Sequence, residues 1–384
     1  MKRVKNTALF WVVCFAMQMI FAQTHVAPGA HQTNQYLSLL KGKKVALVAH
    51  QASTIGQTHL VDSLLTLGVN LAKVFAPEHG FRGQADAGEK VADQKDPTTG
   101  ISIISLYGKN RKPQPEMLQD IDLMVFDLQD VGVRFYTYLS TLHYVMEACA
   151  EQNIPLVILD RPNPNVHYVD GPLLNLDYKS FVGMHPVPIV YGMTIGEYAQ
   201  MINGEQWLDE KLTCSLTIIP IKNYSHTTFY ELPIKPSPNL PNAQAVALYP
   251  SLCLLEPTVI SVGRGTQKQF QLFGHPELPA TSFSFTPQSN IGAKNPKHKG
   301  VLCYGKDLST VSRPTALQLN WLFEAYQQFE NKNTFFLKGF ARIAGTDQLQ
   351  KQIEKGFSQK QIKMSWEKDL ETFKKVRKKY LIYP

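Results

Sequence analysis

Val45-Ala46-Leu47-Val48-Ala49 is an uninterrupted apolar run of strand length. A strand of this kind is buried on both faces, as in the middle of a parallel sheet. Outward from it the chain alternates between strand-like and helix-like segments. Thr58 can cap a helix carrying Leu60, Val61, Leu64 and Leu65, which Gly68 ends. Strands are expected at Leu71–Ala76, 101–106, 123–126 and Leu156–Leu159. Between them Pro115 opens a short helix and residues 139–150 form a longer one. Strands alternating with helices imply an α/β fold with a parallel sheet and right-handed crossovers.

Thr194 precedes a further helix, with Ile195, Tyr198, Ala199 and Ile202 at helical spacing. The texture then changes. Pro220, Pro233, Pro236, Pro238 and Pro241 punctuate a loop-rich passage. The domain boundary is placed there, dividing residues 23–225 from a smaller mixed α/β domain at 226–384. Helices are expected in that second part at 316–329, 348–356 and 359–375.

At 384 residues, 44% hydrophobic and 18% charged, the composition is that of a globular protein. Lys2, Arg3 and Lys5 precede an apolar run over 8–21, and Ala22 follows. Residues 1–22 therefore form the pattern of a secretory signal peptide. The run is short for a membrane span, which argues against an uncleaved anchor. The expected location is periplasmic or secreted, without stable membrane insertion after cleavage. Removing the segment lowers Lys+Arg from 39 to 36 against 31 acidic residues, taking the net charge from +8 to +5. This mild excess suits an anionic ligand. The basic cluster at 368–379 fits an exposed helix face, and no nucleic-acid motif accompanies it.

Cys149, Cys214, Cys253 and Cys303 are irregularly spaced, with no C-x-x-C pair to support a zinc site. A disulfide is open to an exported chain, but sequence does not pair these cysteines. No G-x-G-x-x-G follows the first strand, which argues against a dinucleotide, and no cofactor is expected. There is no G-x-S-x-G elbow and no H-E-x-x-H. The Gly300–Asp307 stretch approximates a phosphate loop, but Asp307 replaces the hydroxyl residue that would hold magnesium.

Open parallel sheets bind ligands at the carboxyl ends of their strands. The second strand runs into Pro77-Glu78-His79-Gly80-Phe81-Arg82-Gly83. The fourth runs into Asp127-Leu128-Gln129-Asp130, with Arg134 and Tyr136 close behind. The fifth runs into Asp160-Arg161-Pro162-Asn163. Such residues can equally cap helices and tie loops. Glu78 and Glu89 are the two carboxyls that could supply a proton donor for glycosidic cleavage. His79 could be a base or a ligand, but no second histidine stands at ligand spacing, so no metal is expected. Farther on, Gly263-Arg264-Gly265-Thr266 presents an arginine that can grip a carboxylate, and Ser237-Pro238-Asn239-Leu240-Pro241 is a rigid loop that could line a cleft.

Together these segments resemble a known family. They are Phe75-Ala76-Pro77-Glu78-His79-Gly80-Phe81-Arg82-Gly83 with Asp86-Ala87-Gly88-Glu89, Phe126-Asp127-Leu128-Gln129-Asp130 with Arg134 and Tyr136, Leu159-Asp160-Arg161-Pro162-Asn163-Pro164, Val169-Asp170-Gly171-Pro172, Pro236-Ser237-Pro238-Asn239, Gly263-Arg264-Gly265-Thr266, and the stretch from Phe340 to Trp366. The family is the bacterial exo-β-N-acetylmuramidases of the NamZ type, and the similarity covers nearly all of the chain after residue 22.

The resemblance implies a Rossmann-like first domain without nucleotide, a smaller second domain, and a cleft between them. It implies release of N-acetylmuramic acid from the non-reducing end of MurNAc-GlcNAc fragments during peptidoglycan recycling. Its catalytic glutamate falls at Glu78 or Glu89, with Glu78 favoured for its place on the strand end. His79, Arg82, Asp127, Gln129, Asp130, Arg134, Tyr136, Asp160, Arg161, Asn163, Asn239 and Arg264 are carried over as substrate-binding positions. Among them Arg82, Arg134, Arg161 and Arg264 are candidate anchors for the lactyl carboxylate. Asp127, Asp130 or Tyr136 could orient the 2-acetamido group in a substrate-assisted reaction. Two other readings compete: a non-catalytic muropeptide-binding protein of the same fold, and a serine or cysteine hydrolase of wall peptides.

Overall fold

The computed structural model describes residues 25–78, 80–81, 94–108 and 110–384. The segment 1–22 expected to be a signal peptide, His79, Arg82 and Glu89 lie outside them.

The opening run is a central strand. β1 (Val45–Ala49) is buried at every position. It pairs in parallel with β2 (Leu71–Ala76) on one side and with β5 (Leu123–Asp127) on the other. The sheet is completed by β3 (Gln94–Lys95), β4 (Ser102–Ser105), β6 (Leu156–Leu159) and β7 (Leu216–Ile219). The described strands form a seven-stranded sheet in the order β3-β4-β2-β1-β5-β6-β7. All neighbours are parallel except β3, which runs antiparallel on the edge. The chain winds outward on one side of β1 and then on the other. This is a doubly wound order, with its switch point beside β1.

Alternate residues of β1 feed opposite faces, as strand geometry requires. Ala46 and Val48 join a core with Phe75, Met124, Phe126 and Ile158. Val45, Leu47 and Ala49 join a second core with Leu60, Leu64, Val74 and Val125. That second face is covered by α1 (Thr33–Leu40) and α2 (Leu60–Thr66), which supply Tyr36, Leu40 and Val61. The first face is covered by α3 (Tyr138–Glu151) and α4 (Ile195–Gly204). Thr194 and Glu197 form a reciprocal capping box at the start of α4.

The C-terminal part joins the first core without a break. It contributes α5 (Ala243–Leu252), α6 (Asn320–Gln328), α7 (Lys332–Phe335), α8 (Phe340–Ala344), α9 (Gln348–Glu354) and α10 (Gln359–Arg377). Leu248, Leu322, Phe340, Ile362 and Trp366 all belong to that cluster. A small antiparallel sheet stands beside them, with β8 (Leu272–His275), β10 (Cys303–Asp307) and β9 (Ser284–Phe285) in that spatial order.

Two local expectations need correction. Thr58 does not cap α2: Thr58–His59 pairs with Thr54–Ile55, and His59 is the cap, accepting from the Val61 N–H at 3.3 Å. The helix expected from residue 316 begins at Asn320. Side chains capture the preceding amides, Leu317 N–H on Asp170 at 2.8 Å and Gln318 N–H on Ser251 at 2.9 Å. β7 and the two-residue edge strand β3 are additional to the strands expected from the sequence. The four described cysteines are free and buried. Among the described residues no helix is long and apolar enough to cross a membrane, and no cluster of His, Cys, Asp and Glu could hold a metal ion.

Candidate active site

A cavity of about 330 Å³ opens beyond the carboxyl end of β2, lined by residues drawn from 78–182 and from 237–343. Glu78 stands in its wall, two residues past the end of β2. The start of α3 holds it. Thr137 precedes the helix and makes no capping bond of its own; its hydroxyl instead donates to Glu78 Oε2 at 2.7 Å. The Tyr138 hydroxyl reaches the Glu78 carbonyl oxygen at 3.4 Å. The carboxyl thus lies at the positive end of the α3 dipole. Tyr107 faces the same group: burial, then the charge of Glu78 and a hydrogen bond to it, push the Tyr107 phenol up to about 12.

Aromatic rings build much of the remaining wall. Tyr136 packs edge-on against Tyr138 at 4.7 Å, and Phe135 against Tyr249 at 5.4 Å. The Tyr136 hydroxyl donates to the Pro236 carbonyl at 2.9 Å. Arg111 lies over the Phe181 ring at 4.5 Å. From the C-terminal half come Asn239, Glu256, Arg264, Phe270 and Arg342. Flat apolar rings with a few carboxyl and guanidinium groups suit a polar ring-shaped ligand bearing an anion.

The candidates taken from sequence divide into two groups. Glu78, Tyr136, Asn239 and Arg264 meet in this cavity. Asp127, Gln129, Asp130, Arg134, Asp160, Arg161 and Asn163 do not line it, and each has internal partners. Arg161 donates from Nε to Asp127 Oδ1 at 2.5 Å and from Nη2 to Oδ2 at 2.8 Å, with both side chains buried. Arg134 directs Nη1 to the carbonyls of Pro172 and Val187 at 2.9 and 2.7 Å. Its Nη2 reaches those of Ile343 and Ala344 at 3.2 and 2.7 Å, so it pins α8 to the N-terminal half of the chain. Asp160 accepts from Thr194, Gly196 and Tyr383. Asp130 accepts from Tyr191 and from the Gly132 amide. Gln129 bridges the Asp130 and Pro162 carbonyls, and Asn163 bonds the Met193 carbonyl and the Asn165 amide.

In this arrangement Arg134 and Arg161 cannot reach a substrate carboxylate without giving up these bonds; Asp127 is fully engaged by Arg161, and Asp130 is held through one oxygen off the cavity lining. Asn239 lines the cavity with a buried side chain whose Nδ2 donates to the Gly292 carbonyl at 2.7 Å, while its Oδ1 has no partner among the described residues. Sequence reasoning missed Tyr107, Arg111, Glu256 and Arg342. The only cue for Glu256 is a carboxylate directly after the apolar stretch Leu252-Cys253-Leu254-Leu255.

Comparison with known proteins agrees over most of the chain. The family described as exo-beta-N-acetylmuramidase NamZ, N-terminal, matches residues 45–244, and its C-terminal counterpart matches residues 247–383. A peptidoglycan beta-N-acetylmuramidase NamZ from Bacillus subtilis (strain 168) is 40% identical over 382 residues, covering 91% of this chain and 89% of the relative. A DUF1343 family protein from Bacteroides fragilis superposes with a TM-score of 0.88 at 46% identity, covering 94% of this chain and 99% of that one. A second from the same organism gives 0.81 at 28% identity, with the same coverage.

Proposed function

The chain belongs to the exo-β-N-acetylmuramidase NamZ family and is a glycosidase of the peptidoglycan muramidase kind; from that premise we propose that it removes N-acetylmuramic acid from the non-reducing end of peptidoglycan fragments, with Glu78 as acid and then base. The observation that carries the reading is Glu78 itself, held by Thr137 and Tyr107 in the wall of a cavity of about 330 Å³. Small-molecule cavities span roughly 300–1,000 Å³. A cavity at the small end suits one terminal sugar rather than a threaded glycan chain, which favours exo action.

The carboxyl of Glu78 donates its proton to the glycosidic oxygen as the bond to C1 breaks. The 2-acetamido oxygen of the same sugar attacks C1, and water later releases the product. Arg111 and Arg342, both exposed on the cavity lining, replace Arg134, Arg161 and Arg264 as anchors for the lactyl carboxylate, since Arg264 is engaged by Glu256. We place the reaction outside the cytoplasm, on the strength of Lys2, Arg3 and Lys5 and the apolar run after them.

The test is product analysis on a reduced MurNAc-GlcNAc oligomer. The reading requires free N-acetylmuramic acid, one residue at a time, and net retention at the anomeric carbon by NMR of early product. Internal cleavage would overturn exo action, and net inversion would overturn acetamido participation. Binding without any cleavage would restore the non-catalytic alternative.

A further inference from the structure

The cavity that holds Glu78 contains a second carboxylate. Glu256 follows the short turn Cys253–Leu255 at the end of α5. Arg264 donates to both its oxygens, from Nε at 3.1 Å to each and from Nη2 to Oε2 at 2.7 Å. Several contacts fix this pair. Gly263 and Gly265 flank the arginine with φ of +80° and +81°, and a Cβ on Gly265 would lie 2.5 Å from Gln288 O and from Pro296 Cγ. Only glycine accepts that conformation and that closeness. The guanidinium also lies over the Phe270 ring at 5.0 Å. Lys297 Nζ donates to the carbonyls of Glu256, Thr258 and Ile260 at 2.5, 2.6 and 3.2 Å, so the loop after Glu256 is clamped as well.

This ion pair differs from the sealed one between Arg161 and Asp127. The Asp127 side chain is 0% exposed, whereas that of Glu256 is 26% exposed and lines the cavity. Burial pushes the Glu256 carboxyl up, but the charge and hydrogen bonds of Arg264 outweigh this and hold it below its ordinary range. An ionised, acceptor-only carboxylate complements a residue that must carry a proton.

We propose that Glu256 is the second catalytic carboxylate, accepting the N–H of the substrate's 2-acetamido group and facing the positive charge that forms on it; this rests on the glycosidase reading above. In the first step the acetamido oxygen bonds to C1 and the glycosidic C1–O bond breaks. The departing electron pair takes the Glu78 proton, and the second sugar leaves as an alcohol. The resulting oxazolinium keeps its N–H hydrogen-bonded to Glu256. In the second step water adds to C1, its proton passes to Glu78, and the C1–O bond of the oxazolinium ring opens to restore the acetamide. Arg264 and Lys297 are positioning residues that keep Glu256 in place.

The test uses the full chain with 4-nitrophenyl N-acetyl-β-muramide and its mono-, di- and trifluoroacetamido analogues. Wild-type kcat should fall steeply with fluorination. Glu256→Gln should lower kcat on the parent substrate about 100-fold with little change in KM, and should flatten the fluorine dependence. Arg264→Met should move the acidic limb of the kcat profile to higher pH, because Glu256 loses the charge that keeps it ionised. Removing one partner of an ion pair can destabilise the fold, so the double variant Glu256→Gln/Arg264→Met serves as the control; it should fold and remain slow. Wild-type kcat in either folded Glu256 variant, with Glu78→Gln inactive, would overturn the role of Glu256. A wild-type enzyme that releases no N-acetylmuramic acid would overturn the underlying glycosidase reading instead.

Discussion

Thr137 Oγ1 donates to Glu78 Oε2 across 2.7 Å, tying the start of α3 to the end of β2. The hydroxyl orients a carboxyl group rather than capping its own helix. A hydrogen bond to an ionisable group contributes about 1.5–3 kcal/mol. Thr137→Val should therefore lower kcat about tenfold or more, and Thr137→Ser should keep most of it. Steady-state kinetics on a chromogenic N-acetylmuramide reads both.

Arg111 and Arg342 set the prediction for substrate choice. Both are exposed on the cavity lining, and neither has a carboxylate partner among the described residues. Replacing either with Met should raise KM for the muramide several-fold. The rise should shrink with added salt, since exposed charges are screened within about 8–10 Å at physiological ionic strength. An N-acetylglucosaminide, which lacks the lactyl acid, should show no such change. Equal effects on both substrates would contradict the anchor role.

The fold was legible because its centre is written locally. The Val45–Ala49 run contains only residues that fill a doubly buried strand, and the strand ends announced their polar loops. The site was legible in part. Asp127, Arg134, Asp160 and Arg161 carry charges beside strand ends, and sequence cannot say whether such a charge faces ligand or protein. Here their partners are Arg161 with Asp127, backbone carbonyls for Arg134, and Tyr383 for Asp160, all chosen by tertiary contacts. Glu256 and Arg342 belong to segments remote from the sheet, so no strand-end rule could locate them.

The Arg161–Asp127 pair should report on stability. Its side chains are 5% and 0% exposed. Asp127→Asn leaves the guanidinium without its counter-charge, and breaking a buried pair in this way costs about 3–5 kcal/mol. Urea denaturation should show that loss.

Two buried carboxyls predict opposite pH dependences. Burial pushes Asp130 up to about 7 from 3.8, partly offset by the Tyr191 hydroxyl and the Gly132 amide. Its contribution to stability is full below pH 3.8 and is lost as pH rises toward 7. Glu147 is pushed up by burial, but His143, Lys112 and the Asp209 amide outweigh that and hold it at about 2, below its ordinary 4.5. Its contribution is full above pH 4.5 and is lost as pH falls toward 2. Unfolding free energies across pH should therefore lose their decline on the neutral side in Asp130→Asn and on the acid side in Glu147→Gln.

The most direct measurement compares wild type, Glu78→Gln and Glu89→Gln on 4-nitrophenyl N-acetyl-β-muramide. General acid catalysis contributes typically 10²–10⁴-fold. With Glu78 as the acid, Glu78→Gln should lose activity by about that factor in a folded protein, and Glu89→Gln should lose less. Full activity in Glu78→Gln with an inactive Glu89→Gln would contradict the assignment and move the acid into the segment that carries Glu89.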